Sequence, residues 1–422
     1  NVAPDFRTRG GWVQLALTGI VLGGLYAINS WDLPAYLLIY LGALVLLYLR
    51  LAPTPRGFFW PHFVQHAGAT VVACYVMYFP FHLAFAAPTE DSPIGISPAR
   101  TGLVEFFVIF GLFCVPLVAY VIRHAFATSH TPSIDSPVLA PRPTLLMLGG
   151  VLLLGIVVGW PLFVLLPLAI WAIATAYTQR EQPATAFVLW LFAVGALIVW
   201  GTDVIYLRDN YSSPRMNTIF KFYYQAWLLW GAVAAFAVWA LMQRLRARSA
   251  LWLLPTAVLL AGALVYPILG PSANPPARTL DGLAYLQQDA PGEAAAINWV
   301  RANTAPTAVI VQAPGVPYQA WTARLASATG RPTLVGWTQH ERLWRRGQPE
   351  LVDQVAAREQ DVRTLYTTTD PQLAQSILGR YNATYVYVGP NEQRLIQEQN
   401  APPEALTKFD SFMSRVFEQD GA

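Results

Sequence analysis

TLLMLGGVLLLGIVVGWPLFVLLPLAIWAIATAYT, residues 144–178, is the stretch that decides how this chain is folded. It is almost entirely apolar, but it is too long for a single membrane-spanning helix, which needs about 20 residues. Gly159, Trp160 and Pro161 lie near its middle, and a proline there removes a backbone donor and interrupts the helical hydrogen-bond ladder. The stretch is therefore predicted to form two membrane helices joined by a tight turn.

Seven further apolar blocks, each close to the length of a membrane span, flank this hairpin. Of the 422 residues, 55% are hydrophobic and only 12% are charged, whereas about 25% are charged in an ordinary soluble domain. Together with the hairpin, the blocks predict a polytopic α-helical membrane protein with about nine spans, in contact with the lipid bilayer. The seven blocks are residues 12–29, 34–49, 63–87, 102–121, 185–205, 221–242 and 250–268.

Positive charges in the loops predict the orientation, because cytoplasmic loops carry an excess of Lys and Arg. Nine spans place the N-terminus and the C-terminal part on opposite sides. The loops on the N-terminal side hold the larger number of cations, so we expect a multi-pass protein of the cell (plasma or inner) membrane, with a cytoplasmic N-terminus and an extracytoplasmic C-terminal part. The N-terminal side has Arg7, Arg9, Arg50, Arg56, Arg123, Arg142, Arg180, Arg244, Arg246 and Arg248; the other side has Arg100, Arg208, Arg215 and Lys221.

The composition changes after residue 270, since most of the acids and amides lie beyond Pro271. We therefore expect a transmembrane helical domain at 1–270 and a soluble, extracytoplasmic α/β domain at 271–422. Helix-sized and strand-sized segments alternate there, which favours a small, mostly parallel sheet with helices. The predicted helices are 294–303, 351–359 and 371–381, and the predicted strands are 308–312, 333–337 and 384–388.

A polar segment, GTDVIYLRDNYSSPRMNTIFKFYYQAW at 201–227, lies between two of the apolar blocks. An ionisable residue near the end of a span is costly unless it is paired or faces a wet cavity, and three cations at a helix mouth suit a phosphate or pyrophosphate. Alternatively, the same residues cap a helix end and form an interfacial aromatic belt with a snorkelling lysine. The candidates are Asp203 and Asp209 as carboxylates, and Arg208, Arg215, Lys221, Tyr223 and Tyr224 for substrate contact.

Two more places carry candidate residues. Asp32 lies in the first external turn, before Pro34, and could be a catalytic carboxylate or a helix N-cap. GWTQHERLWRRG, at 336–347, follows a predicted strand end, where α/β sheets often bind ligands. His340 and Glu341 could act there as an acid/base pair or hold a sugar or phosphate, with Trp337 and Trp344 as stacking walls; alternatively, Trp337, Leu343 and Trp344 dock the domain on the membrane part.

Several classes of function lack support in the sequence. The net charge of +3, with no basic run among aromatics, predicts no nucleic-acid partner. His62 and His66 have HxxxH spacing but no third ligand nearby, so no metal site is predicted. The dinucleotide, P-loop and α/β-hydrolase signatures GxGxxG, GxxxxGK[ST] and GxSxG are all missing.

Five strings in order, INSWDLPAY, NTIFKFYYQAW, GRPTLVGWTQHERLWR, VRTLYTTTD and YVYVGPNE, resemble the C-terminal part of the YYY-domain membrane proteins of archaea and green non-sulfur bacteria. That family looks related to GT-C-type glycosyltransferases, which use lipid-linked sugar donors. GT-C enzymes carry metal-binding or base-like carboxylates in the first external loop, and the YYYxG motif belongs to an N-terminal half; neither is visible in this sequence. Residue 1 is Asn rather than Met, so we expect a piece of a longer polypeptide.

The resemblance implies part of a membrane glycosyltransferase that takes a sugar from a polyprenyl-phosphate lipid and transfers it on the extracytoplasmic face. Asp32, Asp203 and Asp209 are the expected catalytic carboxylates. Arg208, Arg215 and Lys221 are expected to contact the phosphate, and His340 and Glu341 the acceptor. The cofactor is unknown, and a divalent metal is expected only if a missing N-terminal half supplies its ligands. The expected partners are this N-terminal half or a partner membrane subunit. The alternative is a non-catalytic membrane subunit or assembly scaffold of a larger membrane complex.

Overall fold

The computed structural model of this chain describes residue 6 and residues 8–51, 60–85, 94–128, 140–208, 215–243, 249–273 and 279–419. These residues fall into two compact units, one that ends at Ala273 and one formed by the residues from 279 onward. We call them the membrane unit and the C-terminal unit.

The described part of the membrane unit consists of helices and one short pair of strands. Its helices are α1 (Arg9–Ile28), α2 (Asp32–Leu51), α3 (Trp60–Met77), α4 (Phe79–Ala84), α5 (Leu103–Thr128), α6 (Pro141–Val158), α7 (Leu165–Thr178, after a 3-10 turn at Pro161–Val164), α8 (Pro183–Val204), α9 (Met216–Met242) and α10 (Ala250–Ala273). The strands are β1 (Ile94–Ile96) and β2 (Ile205–Leu207).

Eight of the helical segments described by the structure are long and apolar enough to cross a membrane, namely α1, α2 and α5 to α10. The predicted span 63–87 is not among them. It forms α3 and the short α4, which meet at Tyr78, and the Tyr78 hydroxyl donates to the carbonyl of Ile20 at 3.0 Å. The first half of α3 carries His62 and His66, and these polar side chains lower its mean hydropathy. Eight of the nine predicted spans are therefore confirmed by length and composition.

The predicted hairpin at 144–178 is confirmed. Helix α6 ends at Gly159, whose φ of 79° lies in the left-handed region that glycine adopts without steric cost. The N–H of Trp160 bonds to the carbonyl of Gly155 at 2.6 Å, which closes the turn. Pro161 then begins the 3-10 turn, a position where its missing N–H leaves no bond unmade. Helix α7 returns directly from this turn.

The strands mark one end of the membrane unit. β1 and β2 are antiparallel, with Gly95 opposite Tyr206. Since β1 precedes α5 and β2 follows α8, the end of α8 and the start of α5 lie together. The guanidinium of Arg100 lies 4.4 Å from the centroid of the Trp160 ring, so the α6–α7 turn is at this end too. We call it the ribbon end.

Aromatic rings fill the core between α5, α8 and α9. The indole of Trp230 is fully buried, donates its N–H to the carbonyl of Phe192 at 3.1 Å, and stacks on the Phe192 ring at a centroid distance of 5.5 Å. Gly195 lies against this indole, where any side chain would overlap it. Small residues therefore set how closely these helices approach, as is common between membrane helices.

The C-terminal unit is mostly helical, and its predicted α/β layer is only partly present. The described strands are two residues long, and β3 (Ile310–Val311) pairs in parallel with β4 (Tyr385–Val386). The predicted strand 333–337 was wrong: only an isolated bridge between Gly315 and Trp337 forms there. The helices are α11 (Leu286–Asp289), α12 (Pro291–Asn303), α13 (Arg324–Thr329), α14 (Thr338–Trp344), α15 (Pro349–Thr367), α16 (Pro371–Arg380), α17 (Pro390–Glu398) and α18 (Glu404–Thr407), followed by a 3-10 turn at Lys408–Ser411.

A buried carboxyl group, Glu392, joins the two strand ends of this unit. It is 1% exposed and accepts bonds from the N–H of Ala313 at 2.7 Å and of Gly389 at 3.0 Å. Ala313 follows β3 and Gly389 follows β4, so one side chain holds both loops. Burial raises the pKa of Glu392 to about 7.

Substitution of a helix-contact glycine tests the packing of the membrane unit. Gly42 of α2 lies against the indole of Trp190 on α8, whereas Gly150 of α6 faces open space. We expect Gly42→Ala to lower the stability by roughly 1–3 kcal/mol, because the added methyl overpacks the contact. Gly150→Ala should be neutral or slightly stabilising, because alanine favours a helix. Thermal unfolding of both variants in detergent micelles checks this, and equal melting temperatures would contradict it.

Titration of Glu392 should make the stability of the C-terminal unit depend on pH. The pKa of a glutamate in the unfolded chain is about 4.3, so the folded value near 7 is raised. The contribution of protonated Glu392 to the free energy of unfolding is therefore fully present below about pH 4.5. It falls as pH rises towards 7, by on the order of 3 kcal/mol.

Glu392→Gln should flatten this profile, and Glu398→Gln, an exposed position on the same helix, should not. Hydrogen exchange in α15 between pH 5 and 8, with each variant compared with the unmodified chain at the same pH, provides the measurement. A profile unchanged by Glu392→Gln would show that another group titrates.

Candidate functional site

A buried ion pair lies at the ribbon end of the membrane unit. Asp203, at the end of α8, is fully buried, and Arg215, just before α9, is 6% exposed. The Nη2 of Arg215 lies 2.9 Å from Oδ1 of Asp203. A charge at this depth is tolerated when it is paired and its remaining oxygens are hydrogen-bonded. Asp203, which was predicted as a catalytic carboxylate, and Arg215, which was predicted to bind a phosphate, thus contact each other.

Thr101 completes the coordination of this pair. Its N–H donates to Asp203 Oδ1 at 3.1 Å and Oδ2 at 3.3 Å, and its hydroxyl donates to Oδ1 at 2.8 Å. The Nη2 of Arg215 donates to the Thr101 hydroxyl oxygen at 2.6 Å, and the Tyr223 hydroxyl lies 2.9 Å from it. We call Thr101, Asp203, Arg215 and Tyr223 the latch. It ties the start of α5 to the end of α8 and the start of α9.

A second, separate group surrounds Asp32, the first residue of α2. Asn29 Nδ2 donates to Oδ1 of Asp32 at 2.8 Å, and Gln225 Nε2 donates to the same oxygen. No described residue donates a hydrogen bond to Oδ2. Lys221 lies one helical turn before Gln225 on α9, and its ammonium charge acts on the Asp32 carboxylate. This carboxylate accepts hydrogen bonds from side chains of α9 and of the α1–α2 turn. An N-cap side chain would instead accept from a backbone N–H of its own helix, so the predicted N-cap role does not apply.

The structure thus divides the residues predicted at 201–227. Asp203, Arg215 and Tyr223 lie in the latch, and the charge of Lys221 acts on Asp32. The side chains of Tyr224 and Arg208 are exposed, and Asp209 lies outside the described residues.

Thr101 and Gln225 were not among the predicted site residues. The signal for Gln225 is an amide inside an apolar span, one turn after Lys221. Thr101 ends the polar run before a span, and nothing in its neighbours in sequence points to Asp203. Among the described residues, no three His, Cys, Asp or Glu side chains lie close enough together to hold a metal ion.

A family model described as an uncharacterised membrane protein, DUF2298, matches residues 4–230, more than half of the 422 residues. This chain belongs to the DUF2298 family. No curated protein matches it, and no solved structure does. The region that this DUF2298 protein shares with the family includes Asp32, Lys221 and the whole latch, while α10 and the C-terminal unit lie beyond it.

The predicted residues of the C-terminal unit form a packed cluster at the start of α14. The His340 ring lies between Trp337 and Trp344, at centroid distances of 5.8 and 6.1 Å, and its Nε2 accepts the indole N–H of Trp344 at 3.2 Å. Glu341 accepts the N–H of Gly336 at 2.9 Å. In this DUF2298 chain, therefore, Trp337, His340 and Glu341 contact residues of their own segment. They line neither the cavity of about 870 Å³ nor the one of about 360 Å³ in the C-terminal unit.

Removal of either partner of the buried pair should strongly destabilise the membrane unit of this DUF2298 protein. We expect Asp203→Ala and Arg215→Ala each to cost roughly 3–5 kcal/mol, because each leaves an uncompensated buried charge. The double variant should cost clearly less than the sum of the two single ones.

Arg180→Ala is the matched control. Arg180, which is half-buried, pairs with the exposed Glu181 at 3.8 Å away from the ribbon end, so loss of this pair should change little. Melting temperatures of the four variants in detergent micelles test the prediction, and strictly additive effects would show that the pair is not coupled.

Proposed function

We propose that the membrane unit is a transferase that takes a sugar from a polyprenyl-phosphate lipid, and that its reacting groups are Asp32 and Lys221. The observation that carries the proposal is that the ammonium charge of Lys221 acts on the Asp32 carboxylate, while Gln225, one helical turn after Lys221, donates a hydrogen bond to that carboxylate. A lipid-linked donor presents its phosphate at the membrane surface, at the level of helix ends. The resemblance to YYY-domain and GT-C proteins suggests the same substrate class.

The chemistry assigned to each group follows from its charge. Asp32 accepts the proton of the acceptor hydroxyl through Oδ2, while Asn29 and Gln225 hold Oδ1 in place. The acceptor oxygen forms a bond to the anomeric carbon, and the bond from that carbon to the phosphate oxygen breaks. The polyprenyl phosphate leaves with the electron pair, and Lys221 stabilises its negative charge.

The latch has a positioning role in this proposal. Asp203 and Arg215 neutralise each other's charge, so they do not contact substrate. Their ion pair fixes the start of α9, and with it Lys221 and Gln225. Arg208 and Tyr224, which are exposed, line the approach of the donor. Asp209 keeps its expected carboxylate role as a hypothesis, and His340, Glu341 and Trp337 of the C-terminal unit keep theirs in acceptor contact.

The arginine bias of the loops, counted for the nine predicted spans, supports the expected orientation. We infer that the reaction takes place on the extracytoplasmic face of the cell membrane, that the C-terminal unit is on that side, and that a further segment or subunit completes the site. Any divalent metal would depend on ligands supplied by such a partner.

Two variants separate the proposed roles. Asp32→Asn should lower turnover at saturating donor by about 100-fold, because it removes the base. Lys221→Ala should raise the donor concentration needed for half-maximal rate by about tenfold, because a charge-assisted contact to phosphate is lost. The measurement is release of label from polyprenyl-phosphate-linked radioactive glucose by membranes that contain the chain.

Arg180→Ala, which removes a cation away from the ribbon end, is the control and should leave both parameters unchanged. The proposal fails if Asp32→Asn and Lys221→Ala membranes release label as the unmodified ones do. If the purified chain instead binds no undecaprenyl phosphate and copurifies stoichiometrically with a larger membrane complex, the non-catalytic subunit is the correct alternative.

A further inference from the structure

A polar cavity of about 360 Å³ lies in the C-terminal unit, beyond the carboxyl ends of its parallel strands. Residues 314–317, which follow β3, form one wall, and residues of α14, α15 and α17 form the others. In sheets of parallel strands, ligands bind at this edge. The volume is at the small end of the range for ligand pockets, so it suits a molecule of monosaccharide size.

The charged groups that line this cavity favour an anion. Three arginines line it against two glutamates, which leaves one positive charge in excess. Glu359 is shared by two of the arginines, with Arg363 Nη2 at 2.9 Å and Arg342 Nη2 at 3.6 Å. The other glutamate, Glu398, lies one turn after Arg394 on α17. Arginine guanidinium groups recognise phosphate and carboxylate oxygens by paired hydrogen bonds.

Two threonines with buried hydroxyl groups line the same cavity. Thr322 is 3% exposed and Thr338 is 5% exposed, and neither hydroxyl has a hydrogen-bond partner among the described residues. The Nε of Arg342 is likewise buried without one in the described part of the chain. A buried polar group without a partner costs roughly 1–3 kcal/mol. Three such groups around one cavity are accounted for by a ligand that supplies hydrogen bonds.

An aromatic wall completes the site. Trp321 lines the cavity, and the guanidinium of Arg394 lies 5.4 Å from its ring centroid. An indole face beside hydrogen-bonding groups can cover the C–H face of a sugar ring. Gly315, which also lines the cavity, lies against Thr322 so closely that any side chain there would overlap the threonine.

We propose that this cavity binds a monosaccharide-sized, hydroxylated oxyanion, that is, a sugar phosphate or a sugar acid. The arginines bind its oxyanion, the threonine hydroxyls bond to its hydroxyl groups, and Trp321 covers its ring. The site lies wholly in the C-terminal unit and does not depend on the proposed transferase chemistry.

Calorimetric titration of the purified chain in detergent micelles tests the site with glucose 6-phosphate and with glucuronate, and the two probes separate a phosphate from a carboxylate ligand. We expect saturable binding of at least one of them, about tenfold or more tighter than binding of glucose or of inorganic phosphate. Failure of both probes to bind at millimolar concentration, or equal binding of glucose, overturns the proposal.

Isosteric variants separate a binding role from a structural one. Thr338→Val and Thr322→Val should weaken binding of the probe by about tenfold and, at the same time, raise the melting temperature of the ligand-free chain, because each removes an unsatisfied buried hydroxyl. Arg394→Ala should also weaken binding. Arg358→Ala, an exposed arginine of α15 that does not line the cavity, should not. A lower melting temperature for both threonine variants with unchanged binding would contradict the proposal.

Discussion

The ion pair between Asp203 and Arg215 is the interaction on which the ribbon end depends. A carboxylate and a guanidinium are both costly in a membrane unit, and each is tolerated here only because the other is present. Thr101 supplies two further donors to the carboxylate, so the pair also fixes where α5 begins. The position of α9, with Lys221 and Gln225, follows from this arrangement. The group at Asp32 therefore depends on bonds made elsewhere in the unit.

The sequence predicted the parts of the fold that arise from local physical rules. The hairpin at 144–178 follows from one proline and one glycine, since each restricts only its own segment of backbone. The predicted span 63–87 was not confirmed, because polar side chains near its start and a turn at Tyr78 divide an otherwise apolar block. The latch could not be predicted, because Thr101 and Asp203 are about one hundred residues apart and their contact is a property of helix packing alone.

The C-terminal unit shows a different limit of sequence reasoning. Apolar runs at 308–312 and 384–388 do form a parallel pair, but the run at 333–337 does not become a strand. The carbonyl of its neighbour Pro332 still accepts the N–H of Ile310 at 3.0 Å, so the segment lies beside the sheet. Gly336 and Trp337, however, lead directly into α14. The polar cluster after this segment was predicted to follow a strand end, but it lies at the start of α14 instead. Which of its residues face a cavity depends on the rotation of α14, and the sequence carries polar groups on both faces.

The tight turn between α6 and α7 also bears on how the chain enters a bilayer during synthesis. Only Gly159 and Trp160 separate α6 from the 3-10 turn that leads into α7. This connection is too short to stay in water on one side of the membrane after α6 has been inserted and before α7 is. The two segments must therefore be inserted together as a helical hairpin. Only the few residues of the turn then have to be translocated across the membrane for the chain to make two crossings.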